Sequence, residues 1–329
     1  MTYGATKIRN VVNYKTTGAL PKPMFGANWA HWQNQLWGYA IGCHLGHSTD
    51  FLVGLICYLF FFPIDQAKEW KANWVLQVVA FNLACEFIIC TFWHWLTYVG
   101  PYSKGNLQKQ KYNPDNQYEK SGNVGFFSSS SRQLQREVFL TTLGWLQSAL
   151  FQCVVMWLWA SGKCSYYTDF WAHPVWSLGW LLFITYWREF HFYWCHRMIH
   201  PWKWEVPLLG DVGQFLYTNF HSIHHKSYNP GPWSGLSMHP VEHFFYYSST
   251  LVVLCFSAHP MHFLYVKFHA DIAPISGHDG YAEPAGGADF HWLHHAKFEC
   301  NYGVPLIDFD RLFGTWLDYE DYKKQKAAK

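Results

Sequence analysis

The sequence predicts an all-α integral membrane protein: about four transmembrane helices, a membrane-associated helical hairpin and a histidine-rich helical cap. Three observations predict it. Only 14% of the 329 residues are charged and 21% are aromatic, whereas a soluble domain carries about 25% charged residues. Four long stretches are almost free of charge. Beyond them come three histidine strings, HRMIH at 196–200, HSIHH at 221–225 and HWLHH at 291–295. The mean hydropathy of −0.12 does not oppose this fold, because Trp, Tyr and His score as neutral or polar yet suit membrane interfaces.

In chain order, residues 24–64 hold one acid, Asp50, and residues 72–103 hold one, Glu86. Residues 138–162 and 170–187 hold none. A helix needs about 20 apolar residues to cross the hydrocarbon, so four spans are the economical count. A fifth uncharged run, 243–266, carries AHPMHF near its middle and is expected to be a hairpin dipping into the bilayer or lying along it. Residues 113–134 are rich in Ser, Asn and Gly and read as a flexible loop. The chain divides into 1–165, a basic segment with the first three spans, and 166–329, the histidine-bearing region; together they form one membrane-embedded unit.

Charge sets the orientation. The N-terminal segment carries Lys7, Arg9, Lys15 and Lys22 with no acid, and the 101–137 connection carries six Lys or Arg. Both then face the cytoplasm, four spans return the chain there near residue 195, and all three strings lie on that side. The expected location is the endoplasmic reticulum membrane if the source is a eukaryote and the inner membrane if it is a bacterium. The start of the chain has no apolar core, unlike a secretory signal. A net charge of +2 without a basic stripe excludes nucleic acid as a partner. The nine cysteines are scattered singly without a CxxC pair, which suits free thiols packed as small hydrophobes.

Residues three and four apart share a helix face, so each string is expected to present its imidazoles in one direction. Imidazole is a common ligand of Fe, Zn, Cu and Ni. Eight histidines are too many for one tetrahedral zinc and suit two metal ions with exchangeable positions. An H-E-x-x-H protease string is absent, and so are a Rossmann glycine fingerprint and a haem-attachment string. His191 lies five before His196, about 140° round the helix, and is expected to face away from the metals.

The region 170–317 resembles the fatty acid hydroxylase and sterol desaturase superfamily of membrane di-iron oxidases. The likeness rests on FYWCHRMIH at 192–200, HSIHHKSYNPGPWSGLSMHPVE at 221–242, GHDG at 277–280 and HWLHHAKFECNYGVPLIDFDRLFGTW at 291–316. These are closest to sterol C-5 desaturase-like members. The resemblance implies that His196, His200, His221, His224, His225, His291, His294 and His295 are metal ligands, with His278 the ninth. His239 matches a family position that either ligates or orients a ligand. Glu189 and Glu242 are the acids expected to act beside the metals, Asp279 is a further ligand or orienting group, and Asp289 flanks a late histidine. Asp308, Asp310 and Arg311 are expected to tie the C-terminal segment over the site. One departure stands out. Residues 201–220 make the gap between the first two strings about twice that of the sterol C-5 branch, so this piece is expected beside the metals or at a tunnel mouth.

The implied activity is hydroxylation or desaturation of a lipid, foremost a sterol, using dioxygen, two irons and external electrons. The donor would be cytochrome b5 with its reductase, or a ferredoxin, docking on cytoplasmic basic residues. Two alternatives stand beside it. One is a sphingoid-base, fatty-alkyl or ether-lipid hydroxylase. The other, from a different class, is a catalytically silent metal-binding membrane protein or a metal transporter.

Overall fold

The computed structural model describes residues 48–104, 132–227, 230–281, 288–304 and 309–327. The N-terminal part of the first expected span, nearly all of the 113–134 loop, His31, His44, His47 and Asp308 lie outside the described residues. Among the described residues the fold is helical and no strand is present.

Helix α1 (Ser48–Phe60) is short and apolar. Helix α2 (Ala72–His94) runs on through a π turn to Val99, and α3 spans Arg132–Ala160. Two segments, Ala72–Val99 and Gln133–Ala160, are long and apolar enough to cross a membrane. Helix α4 (Pro174–Met198) starts at a proline, whose missing N–H costs nothing in a first turn. It carries the fourth expected span and runs on into HRMIH. Bulky apolar side chains point outward from three of these helices: Leu59 and Phe60 on α1, Ile88 and Phe92 on α2, Leu178 and Leu182 on α4.

The 243–266 stretch folds as two helical legs. Helix α6 (Pro240–Tyr247) continues as a 3-10 turn to Leu254, and α7 (Pro260–Gly277) follows the AHPMHF corner. His259 caps α7 by accepting from Met261 N, while His262 Nδ1 receives His259 N. Between α4 and α6 lies α5 (Val212–Asn219), capped by Asp211, which accepts from Gln214 N. Helices α8 (Ala288–Lys297), α9 (Phe309–Leu312) and α10 (Tyr319–Ala327) follow.

Helix α7 is the axis of the bundle. It is buried along most of its length and packs against α1, α2, α3 and α4. Its polar residues answer the acids of the apolar helices. Lys267 Nζ meets Glu86 Oε1 and Asp271 Oδ2, each at 2.7 Å, and also contacts Asn82. Ser148 donates to Asp271 at 3.0 Å, and His269 Nδ1 lies 2.9 Å from Asp50. A charge in apolar surroundings needs a close partner, and these pairs supply one to each acid of α1 and α2. Buried apolar residues from both sides of position 165 pack into one cluster, and the cysteines among the described residues are free thiols.

Candidate metal centre

Nine histidines fall in two adjoining sets. His196, His200, His221, His225 and His294 form one, and His224, His278, His291 and His295 the other. Within each set the ligand atoms lie within 4.8 Å of one another. In the five-histidine set the Nε2 atoms converge. His196–His221 is 3.2 Å, His221–His200 2.9 Å, His221–His225 3.0 Å and His225–His294 3.2 Å. Imidazole nitrogens about 2.1 Å from a common ion and at right angles to each other lie about 3 Å apart, so these separations fit one ion at their centre.

The strings reach these positions from different local structures. His196 sits in the last turn of α4 and His200 just past its end. HSIHH folds as a 3-10 turn, His221–Lys226, and HWLHH lies on α8. The expectation that each string points one way needs correction, because HSIHH and HWLHH each supply both sets. In each of them the i,i+3 rings lie nearly parallel: His221–His224 and His291–His294 both make 27°. Parallel rings aim at separate points, and these pairs divide between the sets. The i,i+4 rings stand nearly edge-on, 88° for His221–His225 and 74° for His291–His295. Edge-on rings converge, and each such pair stays in one set. His278, at the end of α7, faces His291 with ring centres 4.3 Å apart.

Tautomers are fixed by the second ring nitrogen. Nδ1 of His196, His294 and His278 donates to the carbonyls of Tyr302, Cys300 and Pro274, at 2.7, 2.7 and 2.9 Å. His221 Nδ1 lies 2.6 Å from Glu242 Oε1. Each bond leaves Nε2 with its lone pair directed inward. In the four-histidine set, Nε2 of His278, His291 and His295 is buried and without a protein partner, the condition expected of atoms that take an ion. Burial first, then repulsion from neighbouring imidazoles, holds His221, His225, His291 and His295 well below the usual histidine pKa. Burial brings His278 to about 4. Neutral imidazole is the form that ligates a metal, so the donor set fits two metal ions held by nitrogen.

The other expected site residues fall around this centre. Glu242 is buried against His221 at 2.6 Å, and burial pushes its carboxyl well above the usual range. Glu189 receives Arg188 Nη1 at 3.1 Å and lines the cavity below the histidines. Asp279 accepts from Trp93 Nε1 and Tyr281 N, both at 3.0 Å, and is in neither set. His239 also lies outside both sets. It caps α6 by accepting from Val241 N, and its ring faces Phe220. His191 is hydrogen-bonded with Ser248. Asp289 accepts from Phe290 N. Asp310 accepts from Tyr302 N, Gly303 N and Thr315 Oγ1 at 2.8, 2.7 and 2.6 Å, and so fixes the carbonyl that receives His196. Arg311 lies over the Trp316 ring.

Residues 201–220 pack directly on the histidines. Tyr217 touches the rings of His200, His221 and His225. A Cβ on Gly213 would stand 2.1 Å from the His200 carbonyl oxygen, so only glycine permits this approach. Sequence reasoning missed Tyr217, and it missed the Tyr302 and Cys300 carbonyls. The ECNYG string was visible, but a backbone acceptor carries no residue signature.

Below the centre opens a cavity of about 170 Å³, far more than one water needs. His196, His221, His224, His278 and His291 line one side, and apolar groups such as Phe192, Met238 and Phe245 line much of the rest.

Part of the chain is similar in sequence to known proteins. Residues 180–315 match the family model described as fatty acid hydroxylase. A Delta(7)-sterol-C5(6)-desaturase of Nicotiana tabacum is 32% identical over 162 residues, 45% of this chain and 56% of that protein. A very-long-chain aldehyde decarbonylase of Oryza sativa subsp. indica is 30% identical, over 44% of this chain and 54% of that one. Methylsterol monooxygenase 2-2 of Arabidopsis thaliana is 30% identical, over 44% and 55%. The chain thus spans about half the length of the curated relatives it matches. No solved structure matches.

Proposed function

We propose, from the match of residues 180–315 to the fatty acid hydroxylase family model, that the chain is a membrane-bound non-haem di-iron oxidase that hydroxylates or desaturates a lipid. The observation that carries this reading is the sorting of nine imidazoles, eight buried and His291 half-buried, into a set of five and a set of four above one largely apolar cavity. Nitrogen ligands with open positions suit irons that bind dioxygen, and two such ions would supply the oxidising power for an unactivated C–H bond, with electrons from an external donor.

The chain's own residues provide the rest. The carbonyls of Tyr302, Cys300 and Pro274, together with Glu242, hold the imidazoles in the metal-binding tautomer. Phe192, Met238 and Phe245 keep water from the cavity and so limit side reactions. Outward apolar side chains on α1, α2 and α4 suit contact with lipid, and a four-span, multi-pass arrangement with the site on the cytoplasmic side accounts for them. The membrane is that of the endoplasmic reticulum in a eukaryote and the inner membrane in a bacterium. Cytochrome b5 with its reductase, or a ferredoxin, is the proposed donor.

A sterol is the leading substrate, supported by the named activities of the tobacco and Arabidopsis relatives. A fatty-alkyl substrate is the second reading, supported by the rice relative. Metal analysis of the purified protein tests the centre: two irons per chain are expected, and far fewer than two metals of any kind would sink the reading. Lipid profiling of cells with and without the chain tests the reaction. A lipid gaining one oxygen indicates hydroxylation, and one losing two hydrogens indicates desaturation. An unchanged profile beside a fully loaded centre would favour the catalytically silent alternative.

A further inference from the structure

The wall of the cavity carries a charged pair that the metal centre does not use. Arg188 and Glu189 are 5% and 3% exposed, and both line the same cavity as the histidines. Arg188 Nη1 donates to Glu189 Oε1 and Nη2 donates to the Tyr246 hydroxyl, each at 3.1 Å. Tyr246 in turn donates to the Ala270 carbonyl at 2.8 Å, which fixes its oxygen as the acceptor for Arg188. The guanidinium lies 4.9 Å from the Phe192 ring centre, and that ring stacks on His196 at 5.2 Å. The charged group is therefore one aromatic ring removed from a metal-facing imidazole.

We infer that Arg188, Glu189 and Tyr246 form a seat for the hydroxyl group of a neutral amphipathic lipid. This rests on the reading of the cavity as a lipid site and names the polar group that the lipid carries. Burying an ion pair beside an apolar cavity costs desolvation that well-packed apolar side chains would not incur, so helix packing alone does not call for it. The chemistry of the pair selects its ligand. Glu189 and Tyr246 engage two of the five N–H donors of the guanidinium, and Glu189 adds an acceptor at its side. A hydroxyl both donates and accepts, so it can bridge the two. A carboxylate or phosphate would bring a second anion against Glu189 with no added cation, and a bare hydrocarbon would leave the polar pair facing apolar surface. Arg188, Glu189 and His269 also line a smaller cavity running on between α4 and α7. That second cavity is only about 10 Å³, so the space for hydrocarbon is the main cavity, toward the metals.

The test is equilibrium binding to the metal-loaded full chain in phosphatidylcholine nanodiscs. Two matched radiolabelled pairs serve as probes, cholesterol with cholestane and 1-hexadecanol with hexadecane, and palmitate is the anionic competitor. The hydroxylated member of a pair should bind about 10- to 100-fold tighter, the range for a hydrogen bond to a charged group. The pair with the larger ratio identifies a sterol or a straight-chain alcohol as the source of the hydroxyl. Glu189→Gln and Arg188→Met should bring the ratio close to one while leaving hydrocarbon affinity and metal content unchanged. Tyr246→Phe, a smaller change, should lower the ratio several-fold and serves if Arg188→Met does not fold. Equal binding within both pairs, an unaltered ratio in the variants, or stronger competition by palmitate than by hexadecanol would overturn the seat alone. Failure of every probe to bind would instead sink the lipid reading of the cavity. Neither outcome depends on turnover.

Discussion

His221 Nδ1 and Glu242 Oε1 lie 2.6 Å apart, both buried, 21 residues apart in the chain. The contact joins the second histidine string to the first turn of α6 and leaves His221 Nε2 to converge with His196, His200 and His225. Carboxylates that orient a ligating imidazole typically contribute 10- to 100-fold in metal affinity. Glu242→Gln should therefore weaken metal binding by about that factor with the helical content kept. Competitive chelator titration reads it, and an unchanged affinity would reduce Glu242 to a packing residue.

The division of each HxxHH string between two sets makes neighbouring histidines separable. His224 belongs to the four-histidine set and His225, the next residue, to the five-histidine set. His225→Ala leaves four imidazoles in its set, while His224→Ala leaves three. Each single variant should lower metal content at one position of the centre and spare the other. His224→Ala should be the more severe, with content near one metal per chain. Mössbauer spectra of iron-loaded variants would show which environment is lost. Loss of both metals in equal measure from the two variants would mean that the sets do not act as separate ligand shells.

The parts of this centre that lie close in sequence were legible there. Spacing marked eight of the nine histidines, because i,i+3 and i,i+4 neighbours meet on any helical turn, and only the likeness of GHDG to a family element marked His278. Their division into sets was not legible, since it depends on ring orientations set by contacts between α4, α7 and α8. The apolar runs located α2 and α3 for the same local reason. The partners of the acids within the runs were hidden: Asp50 meets His269 at a separation of 219 residues and Glu86 meets Lys267 at 181. A backbone acceptor such as the Tyr302 carbonyl is equally invisible, because every residue has one.

Asp310 acts on the centre through that carbonyl. Its carboxyl accepts from Tyr302 N and Gly303 N, and the Tyr302 oxygen receives His196 Nδ1 at 2.7 Å. Asp310→Ala would strand two buried amide donors, each costing about 1–3 kcal/mol. The expected result is a lower unfolding midpoint together with faster metal loss. A destabilised variant that retains metal at the native rate would show that the Tyr302 loop is not what orients His196.

His243 predicts an acid sensitivity separate from the metal ligands. Its ring is buried over Gly144, its Nε2 donates to the Leu236 carbonyl at 2.8 Å, and burial lowers its pKa to about 4. Asp271 raises that pKa and His239 lowers it, both to lesser degrees. The unfolded value is about 6.5, so between about pH 6.5 and 4 the unfolded chain binds more protons at this site. Stability must then be fully present above about 6.5 and fall as pH drops toward 4. The difference amounts to roughly 3 kcal/mol at the acid end. His243→Gln keeps a donor for Leu236 and removes the titration. Its unfolding midpoint should fall less than that of the unaltered chain between pH 6.5 and 4, and parallel curves would show that His243 does not titrate in this range.

Gly213 tests whether the 201–220 segment is part of the centre. It opens α5 directly against the end of HRMIH, where a Cβ would stand 2.1 Å from the His200 oxygen and 2.4 Å from the Trp202 ring. Gly213→Ala must therefore push α5 away or displace His200, and overpacking of this kind costs about 1–3 kcal/mol. Tyr217 is carried on the same helix and packs on His200, His221 and His225, so the displacement should reach the five-histidine set and leave the other intact. Removing the Tyr217 ring by Tyr217→Ala should loosen the same three imidazoles without moving the His200 backbone. Metal release into a chromogenic chelator should accelerate in both variants, with one metal leaving faster than the second. Uniform loss of both metals would point to general unfolding around the histidines, and native release rates would place 201–220 outside the working centre.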